Sequence, residues 1–374
     1  MIIKSISIFN KKKAIIFVFL ILIICIILCF TFFKVNLLDC IHDNKQNVIS
    51  PDNLISQVPS EDDLAESSKK TSYIKWIDFK GTSAVLSKLA ALDINSHVNN
   101  EPVKFNWIEL MAYLGCKYGG NFAKFKQVDL DTLVSQLKSG ASIENLSKDM
   151  KLYDYYYNSF DAIFHEYIGE YTIQVKNADG TKSYVTKYGL KAYLPIAQNY
   201  SFSHCKDFGT SRSYGYKRVH LGNDLIGSIG TPIIAVESGY VEALGWNQYG
   251  GWRVGIRSFD KKRYYYYAHL RKDHPYAKDL CEGQIVSAGD VIGYLGMTGY
   301  SVKENVNNIN IPHLHFGVQI IFNEVQKDGI NQIWIDVYQI IEFLRKNKSM
   351  VYVAYTDTKD FERVYDFMQC DWFF

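Results

Sequence analysis

The stretch HLHFGVQII, residues 313–321, places two histidines two positions apart in a run of mainly apolar residues. Side chains at positions i and i+2 of a β-strand project from the same face, so His313 and His315 would enter one site while Leu314 packs behind them. A histidine in a protein core is usually single and bonded to one backbone group. Two imidazoles in register therefore indicate a shared role, of which metal binding is the commonest.

Two further histidine patterns lie upstream of this strand. The first, HLGND, sets His220 and Asp224 four residues apart. This imidazole and this carboxylate can meet at one metal ion if the chain bends between them, and Gly222 would give the backbone the freedom to bend. The second, YAHL, carries His269 at the end of an aromatic stretch. Each pattern alone is a weak signal, so the prediction of a metal site depends on all three.

The sequence around the histidines predicts an antiparallel β domain. Short runs rich in β-branched and aromatic residues are separated by turn residues such as Gly250-Gly251. The predicted strands are residues 232–243, 252–258, 263–269, 291–295 and 313–321, and residues 335–344 are predicted to form one closing helix. Upstream, an Asn-Ala-Asp-Gly turn at residues 177–180 joins two alternating stretches, as in a β-hairpin.

The N-terminal third is organised differently. Residues 14–33 form an uncharged apolar run that is long enough to cross the roughly 30 Å hydrocarbon core of a membrane as a helix. Four lysines precede it within residues 1–13, which predicts a cytoplasmic N-terminus. A cleaved signal peptide is the alternative, but the run is long for a signal core and no small-x-small cleavage site follows it. Residues 34–100 are polar and mixed, which favours a linker or stalk.

Residues 101–185 are predicted to form a small helical domain of unknown role. Apolar residues recur at helical spacing in 107–114 and again in 130–137. Asp129 or Asp131 could cap the second helix, and Gly140 could end it. The aromatic cluster that follows, in residues 153–160, favours core packing over stacking on sugars, although Glu109 and Glu166 could be considered as a lysozyme-like acid pair. Residues 346–374 are expected to be a C-terminal tail.

Composition argues against two other classes of site. The formal net charge of +2 and the lack of a basic stripe give no indication of a nucleic-acid partner. The chain has seven cysteines but no C-x-x-C pair, so neither a cysteine zinc site nor a dense disulfide framework is predicted.

Taken in order, the HLGND, YAHL and HLH patterns resemble the M23 family of LytM/lysostaphin-type metallopeptidases. Four further segments are similar to motifs of that family: Phe208-Gly209, GDVIG at 289–293, GMTG at 296–299 and PHLHF at 312–316. The resemblance implies a mainly antiparallel β peptidase domain at residues 190–345. The expected whole is therefore a membrane-anchored α+β chain with a transmembrane helix, a small helical domain and a LytM-type domain.

The resemblance also implies roles for individual residues. His220, Asp224 and His315 would ligate Zn²⁺, while His313 and His269 would be catalytic and lie beside the water that zinc activates. Three protein ligands leave a fourth position open, as a catalytic zinc requires, and zinc lowers the pKa of water to about 7.

Two features around this site are less fixed by the pattern. Tyr214 and Tyr216 are candidates for the donor that stabilises the oxyanion. Residues 300–311 form a longer insertion before the HLH strand than is usual in the family. We expect this insertion to be a loop beside the active-site groove that shapes substrate access.

The predicted function is zinc-dependent hydrolysis of peptide cross-links in bacterial peptidoglycan, with the catalytic domain outside a single-pass cell-membrane anchor. The peptide bond that is cut is not predicted, and the helical domain could dock an envelope protein. One alternative is a catalytically silent zinc-binding scaffold or activator of another hydrolase. Another is an anchored receptor for sugars or peptides. A biotinyl or lipoyl carrier is rejected, because the VSAGDVIG run at 286–293 lacks the lysine at a hairpin tip that such carriers need.

Overall fold

The computed structural model describes residues 74–77, 79–324, 327 and 332–369, which belong to one compact unit. The predicted cytoplasmic tail at 1–13 and the predicted membrane span at 14–33 lie outside the described residues, as does most of the expected linker. Within the part of the chain that is described, no helix combines the length and the apolar character needed to cross a membrane.

The chain is mainly helical between residues 83 and 164. The helices of this segment are α1 (Ser83–Val98), α2 (Trp107–Tyr118), α3 (Gln127–Lys138), α4 (Ile143–Ser147) and α5 (Tyr153–Phe164), with a 3-10 turn at Phe122–Lys124. The predicted capping of α3 by Asp129 or Asp131 is wrong, because Lys126 stands at the cap position and no side chain bonds there. Asp129 instead accepts a hydrogen bond from Lys117 Nζ at 2.6 Å.

Helix α1 lies inside the range that was predicted to be a linker, so that prediction is wrong for residues 83–98. Thr82 caps the helix by accepting a hydrogen bond from the backbone N–H of Val85. Leu86 and Leu89 are buried against the rest of the core. Apolar residues are spread around this helix rather than confined to one face, and Asp93 and Ser96 are among its buried residues, so the sequence shows no clear helical periodicity here.

The remaining elements are mostly β-strands. They are β1 (Ile74–Ile77), β2 (Ile168–Lys176), β3 (Lys182–Leu190), β4 (Ser203–His204), β5 (Ser211–Tyr214), β6 (Tyr216–Val219), β7 (Asn223–Ile226), β8 (Pro232–Ile234), β9 (Gly239–Asn247), β10 (Gly251–Ser258), β11 (Arg263–Ala268), β12 (Ile285–Val286), β13 (Val291–Tyr294), β14 (His313–Ile320), β15 (Gln332–Ile335), α6 (Tyr338–Leu344), β16 (Val351–Tyr355), β17 (Asp360–Arg363) and β18 (Phe367–Gln369). Four of the five predicted strands and the closing helix are confirmed, with small shifts at their ends. The prediction of one strand at residues 232–243 is wrong, because this range holds β8 and the first part of β9, which pair with different strands.

The largest sheet has the order β1-β15-β14-β11-β10-β9-β12. The described pairs are antiparallel, as predicted, except that β1 pairs parallel with β15. Strand β14 has β11 along one edge and both β7 and β15 along the other. In this register His315 lies opposite Asp224 of β7 and opposite Ala268 of β11. The sheet therefore brings together residues that are far apart in the sequence.

The helical segment shares its core with the β region. Trp107 of α2 stacks on Phe343 of α6 with ring centroids 5.8 Å apart. Arg263 of β11 is fully buried, and its Nη1 donates to the carbonyl oxygen of Ala162 in α5 at 3.0 Å. The same guanidinium makes two hydrogen bonds to Glu237, at 2.8 and 2.9 Å. The packing of the helices is therefore coupled directly to the main sheet.

Residues 346–369 are not a free tail, so that prediction is wrong. Strands β16 and β17 pair with each other, and β18 extends the β2–β3 hairpin, whose predicted turn at 177–180 is confirmed. Asp360 accepts hydrogen bonds from Tyr294 and His274, each at 2.8 Å. These strands are too short to show a clear alternation in the sequence, and the partner of β18 is distant in the chain.

Candidate metal and catalytic site

The structure brings the three predicted metal ligands to one point. Nε2 of His220 lies 3.0 Å from Oδ1 of Asp224 and 2.8 Å from Nδ1 of His315, and the last two atoms are 3.3 Å apart. His220 and Asp224 are placed by the end of β6 and by β7, whereas His315 comes from β14. These side chains form a group that could hold a metal ion.

The donor set fits a tetrahedral zinc ion. Zinc–ligand distances of about 2.0–2.1 Å would separate the ligand atoms by about 3.4 Å in a tetrahedron. Two imidazole nitrogens and one carboxylate oxygen face one another at this point, and one shared proton cannot satisfy the lone pairs of all three atoms. A divalent cation at their centre would resolve that conflict, so the residues present suit a bound metal.

Two residues that the sequence analysis did not single out hold the ligands in place. Nδ1 of His220 donates to the backbone carbonyl of Asp207 at 3.1 Å, which leaves Nε2 free to bind metal. Arg212 Nη2 donates to Oδ2 of Asp224 at 3.2 Å and to Oδ2 of Asp207 at 2.6 Å. The sequence feature that could have indicated Asp207 and Arg212 is their position on either side of the Phe208-Gly209 motif.

The charges at the triad favour ligands in their metal-binding forms. Burial opposes ionisation of Asp224, but hydrogen bonds from His220 and His315 outweigh it and hold the pKa of this carboxyl well below its usual range. Burial lowers the pKa of His315 to about 4. His315 is therefore neutral at neutral pH, with a lone pair available for a metal.

Gly222 has a different role from the predicted one. It does not adopt a positive φ, so the bend between His220 and Asp224 does not depend on glycine's conformational freedom. A Cβ on Gly222 would instead lie 2.6 Å from the carbonyl oxygen of Phe316 and 2.8 Å from Nε2 of His315. Glycine is required because β14 passes this close to the loop.

The two predicted catalytic histidines lie beside the triad. Their ring centroids are 4.7 Å apart, and Nε2 of His313 is 3.6 Å from Oδ1 of Asp224. Nδ1 of His313 donates to the carbonyl of Ile311, and Nδ1 of His269 donates to the carbonyl of Thr298, both at 2.8 Å. These bonds select the tautomer in which Nε2 carries a lone pair.

The backbone at His269 is unusual. Its φ of 61° lies in the left-handed region, which costs free energy for a residue other than glycine. Its backbone N–H is bonded to the carbonyl of Gly250 at 2.7 Å, which helps to hold this conformation. Burial lowers the pKa of His269 well below its usual value, so its imidazole is neutral and able to accept a proton.

Aromatic side chains line the region next to His269. Tyr300 makes an edge contact with the His269 ring at 5.9 Å and stacks on Tyr214 at 5.0 Å. Tyr214 is therefore separated by Tyr300 from His269, one of the two predicted catalytic histidines, and the described residues show no contact between Tyr214 and the triad. The side chain of Tyr216, the other predicted oxyanion donor, lies outside the described residues.

The loop at residues 300–311 lies where the sequence analysis expected it. It begins at Tyr300 beside His269 and leads directly into β14. Asn305 ties it down, because its Oδ1 accepts hydrogen bonds from Trp252 Nε1 at 2.9 Å and from the backbone N–H of Asp273 at 2.8 Å. The insertion is thus bonded to two neighbouring segments and forms part of the wall beside the histidines.

Comparison with known proteins agrees with this fold and site. Residues 218–329 match the model of peptidase family M23, so the chain contains an M23 peptidase domain. The resemblance inferred from the sequence is confirmed.

Three relatives illustrate the range of this similarity. The chain is 40% identical over 125 residues to the L-Ala–D-Glu endopeptidase of Bacillus subtilis (strain 168), covering 33% of this chain and 36% of that protein. It is 37% identical over 99 residues to lysostaphin of Staphylococcus simulans, covering 26% and 17% of the two chains. It is 32% identical over 117 residues to the peptidoglycan DD-endopeptidase ShyC of Vibrio cholerae, covering 30% and 23%. The matched region thus spans little more than a third of the length of each relative, or less.

Proposed function

We propose that this chain is a zinc-dependent endopeptidase that hydrolyses peptide bonds in bacterial peptidoglycan. The observation that carries the proposal is the convergence of His220, Asp224 and His315 within 3.3 Å, with His313 and His269 next to them. Three ligands leave a coordination position open, which is the arrangement of catalytic zinc sites. Three relatives are named as an L-Ala–D-Glu endopeptidase, a glycyl-glycine endopeptidase and a peptidoglycan DD-endopeptidase, and these names support the same substrate class.

The residues divide the chemistry between them. Zinc held by the triad would supply a Lewis acid that polarises the scissile carbonyl and makes a water molecule more acidic. Nε2 of His313 accepts a proton as the water oxygen attacks the carbonyl carbon, and returns it to the amine nitrogen that leaves. His269 is fixed by the bond of its Nδ1 to Thr298, which leaves its Nε2 as a second proton acceptor next to His313.

The membrane topology is a further part of this proposal. The uncharged run at residues 14–33 and the lysines before it support an anchor with a cytoplasmic N-terminus and an extracytoplasmic catalytic domain. Peptidoglycan lies on that side of the membrane. In intact cells that carry the full chain, an added membrane-impermeant protease should digest the extracytoplasmic catalytic domain. Complete protection would contradict this topology.

The activity is tested with the full chain and purified cell walls. We expect about one zinc per chain by elemental analysis, and release of peptide-containing fragments that mass spectrometry assigns to one broken bond. His315→Ala should lose both metal and cleavage. His313→Ala should retain metal and lose roughly 10²- to 10⁴-fold in rate, as for removal of a general base.

A matched control separates the site from the rest of the fold. His165 is half exposed and pairs with Asp161 on α5, away from the triad. His165→Ala should therefore leave zinc content and cleavage unchanged. A chain that retains no zinc, or a His313→Ala variant as active as the parent chain, would contradict the proposal.

A further inference from the structure

Arg218 lies on the face of a hairpin that is turned toward the metal triad. Strands β5 and β6 pair so that Arg212 and Arg218 are directly opposite each other. Directly opposed residues of antiparallel strands project from the same face. Since Arg212 reaches Asp224, Arg218 is presented on that side of the hairpin as well.

The two arginines differ in how their charge is balanced. Arg212 is paired with the carboxylates of Asp207 and Asp224. Among the described residues, no carboxylate forms an ion pair with Arg218, and its buried Nη1 has no hydrogen-bond partner. Like charges placed directly opposite each other are destabilising, and a buried donor without a partner is costly. The guanidinium of Arg218 thus has no carboxylate partner among the described residues, unlike that of Arg212.

Aromatic rings fix the position of this guanidinium. Its carbon lies 4.8 Å from the ring centroid of Tyr249 and 4.9 Å from that of Tyr300. Tyr300 in turn contacts His269, whose ring is 4.7 Å from that of His313. Arg218 is therefore about two side-chain contacts from the catalytic histidines. The contacts of Tyr300 with Arg218 at 4.9 Å and with His269 at 5.9 Å put the guanidinium at most about 11 Å from the His269 ring. An extended peptide advances by about 3.3–3.6 Å per residue, so at most about three residues of a bound substrate would span this separation.

We propose that Arg218 binds a free carboxylate of the substrate, so that the enzyme takes an acidic peptide rather than a neutral glycine bridge. This inference rests on the proposed function and specifies its substrate class. The planar fork of donors on a guanidinium suits a carboxylate, and a ligand anion would supply the missing partner of Arg218. In a wall peptide, the carboxylate can come from a γ-linked D-glutamyl residue, whose α-carboxylate is free, or from the C-terminus.

The test uses matched synthetic peptides and the full chain. The parent peptide is L-Ala-γ-D-Glu-L-Lys-D-Ala. One twin has the glutamyl α-carboxylate converted to an amide, a second has an amidated C-terminus, and pentaglycine is the neutral comparison. Rates are measured with zinc-loaded protein, and dissociation constants are measured by titration calorimetry with metal-free protein, which does not turn the peptides over.

Three variants complete the design. Arg218→Gln removes the charge, whereas Arg218→Lys keeps a charge without the fork. Lys217→Gln is the matched control, because this exposed neighbour on β6 points to the opposite face. We expect kcat/KM for the acidic peptide to fall roughly 10- to 100-fold in Arg218→Gln, with little change for the twin that lacks the recognised carboxylate. The amidated twin whose kcat/KM is unaffected by Arg218→Gln identifies which carboxylate of the peptide is recognised.

The outcomes separate this inference from the proposed function. If Arg218→Gln lowers kcat/KM by the same factor for the parent peptide and for both amidated twins, Arg218 has only a structural role. That result would overturn the inference. Faster cleavage of pentaglycine by the parent chain would also overturn it while leaving the peptidase intact. If no peptide or cell wall is cleaved, the proposed function fails. A carboxylate preference in binding that disappears in Arg218→Gln would then still support the inference.

Discussion

Arg212 donates a hydrogen bond to one carboxylate oxygen of Asp224, while the other oxygen lies next to the two histidines of the triad. Oδ2 accepts from Arg212 Nη2 at 3.2 Å, while Oδ1 faces the histidines of the triad. The guanidinium therefore fixes the orientation of a metal ligand without contacting the metal position itself.

Removing this support should weaken metal binding. We expect Arg212→Gln to lower zinc affinity by roughly 10- to 100-fold, the range typical of partners that orient metal ligands. Competition with a chromogenic chelator measures the effect. Arg345→Gln removes a comparable ion pair, with Glu342, outside the triad and should not change the affinity. Equal zinc affinities for Arg212→Gln and the parent chain would show that the Asp224 carboxylate keeps its orientation without the hydrogen bond from Arg212.

Gly222 is the second position at which a small change should be costly. Its substitution by alanine would force the new methyl group against Phe316 and His315, so we expect a loss of about 1–3 kcal/mol in stability, typical of overpacking, together with weaker zinc binding. Denaturant unfolding measures the first effect. Gly189→Ala is the control, because its Cβ would meet Tyr171 only at 3.6 Å. If both variants unfold at the same denaturant concentration, the close approach at Gly222 is not important.

The partly buried His315 of the triad predicts a pH dependence for the metal-free chain. The pKa of His315 is about 4 in the folded chain, below its ordinary value of 6.5. Between these values the unfolded chain binds a proton that the folded chain does not. The stability should therefore fall as the pH drops from 6.5 toward 4, by about 3 kcal/mol from this group.

Urea unfolding of the metal-free chain at several pH values in that window measures this loss. His315→Gln cannot take up the proton and should show a shallower decline. A decline of the same size in both proteins would assign the effect to other groups. Zinc should oppose the loss, because protons and metal compete for the same nitrogen.

The buried pair of Arg263 and Glu237 predicts the largest change in stability. Glu237→Ala would remove the carboxylate that accepts two hydrogen bonds from the fully buried guanidinium of Arg263 and would leave Asp260 as its remaining carboxylate partner. Breaking a buried ion pair typically costs about 3–5 kcal/mol. Because Arg263 also bonds to Ala162, the loss should loosen the contact of α5 with the main sheet, measurable by hydrogen exchange. Glu304→Ala, at an exposed position on the loop, is the matched control. Unchanged exchange in α5 would show that this pair does not couple the two regions.

Local patterns were sufficient for much of this molecule. The alternation around His313 and His315 predicted a strand that exists, and the turn at 177–180 predicted a hairpin that exists. The three metal-ligand candidates were also chosen from spacing and family resemblance, and the structure brings them together. These features depend on residues that are close in sequence or on a motif with strict order.

Features that depend on distant partners could not be predicted in this way. The parallel pairing of β1 with β15 joins strands more than two hundred and fifty residues apart. The roles of Asp207 and Arg212 depend on the conformation of the hairpin after Phe208-Gly209. The need for glycine at 222 comes from the approach of β14, which no local pattern contains.

The central position of β14 has a consequence for errors in folding. His313 and His315 alternate along it with Leu314 and Phe316, so a slip of one residue would turn the imidazoles into the core and the apolar side chains toward the metal. The same slip would also move His315 away from Asp224. A misregistered chain is therefore unable to bring the three candidate metal ligands together, so the metal site can form only when the sheet has paired correctly.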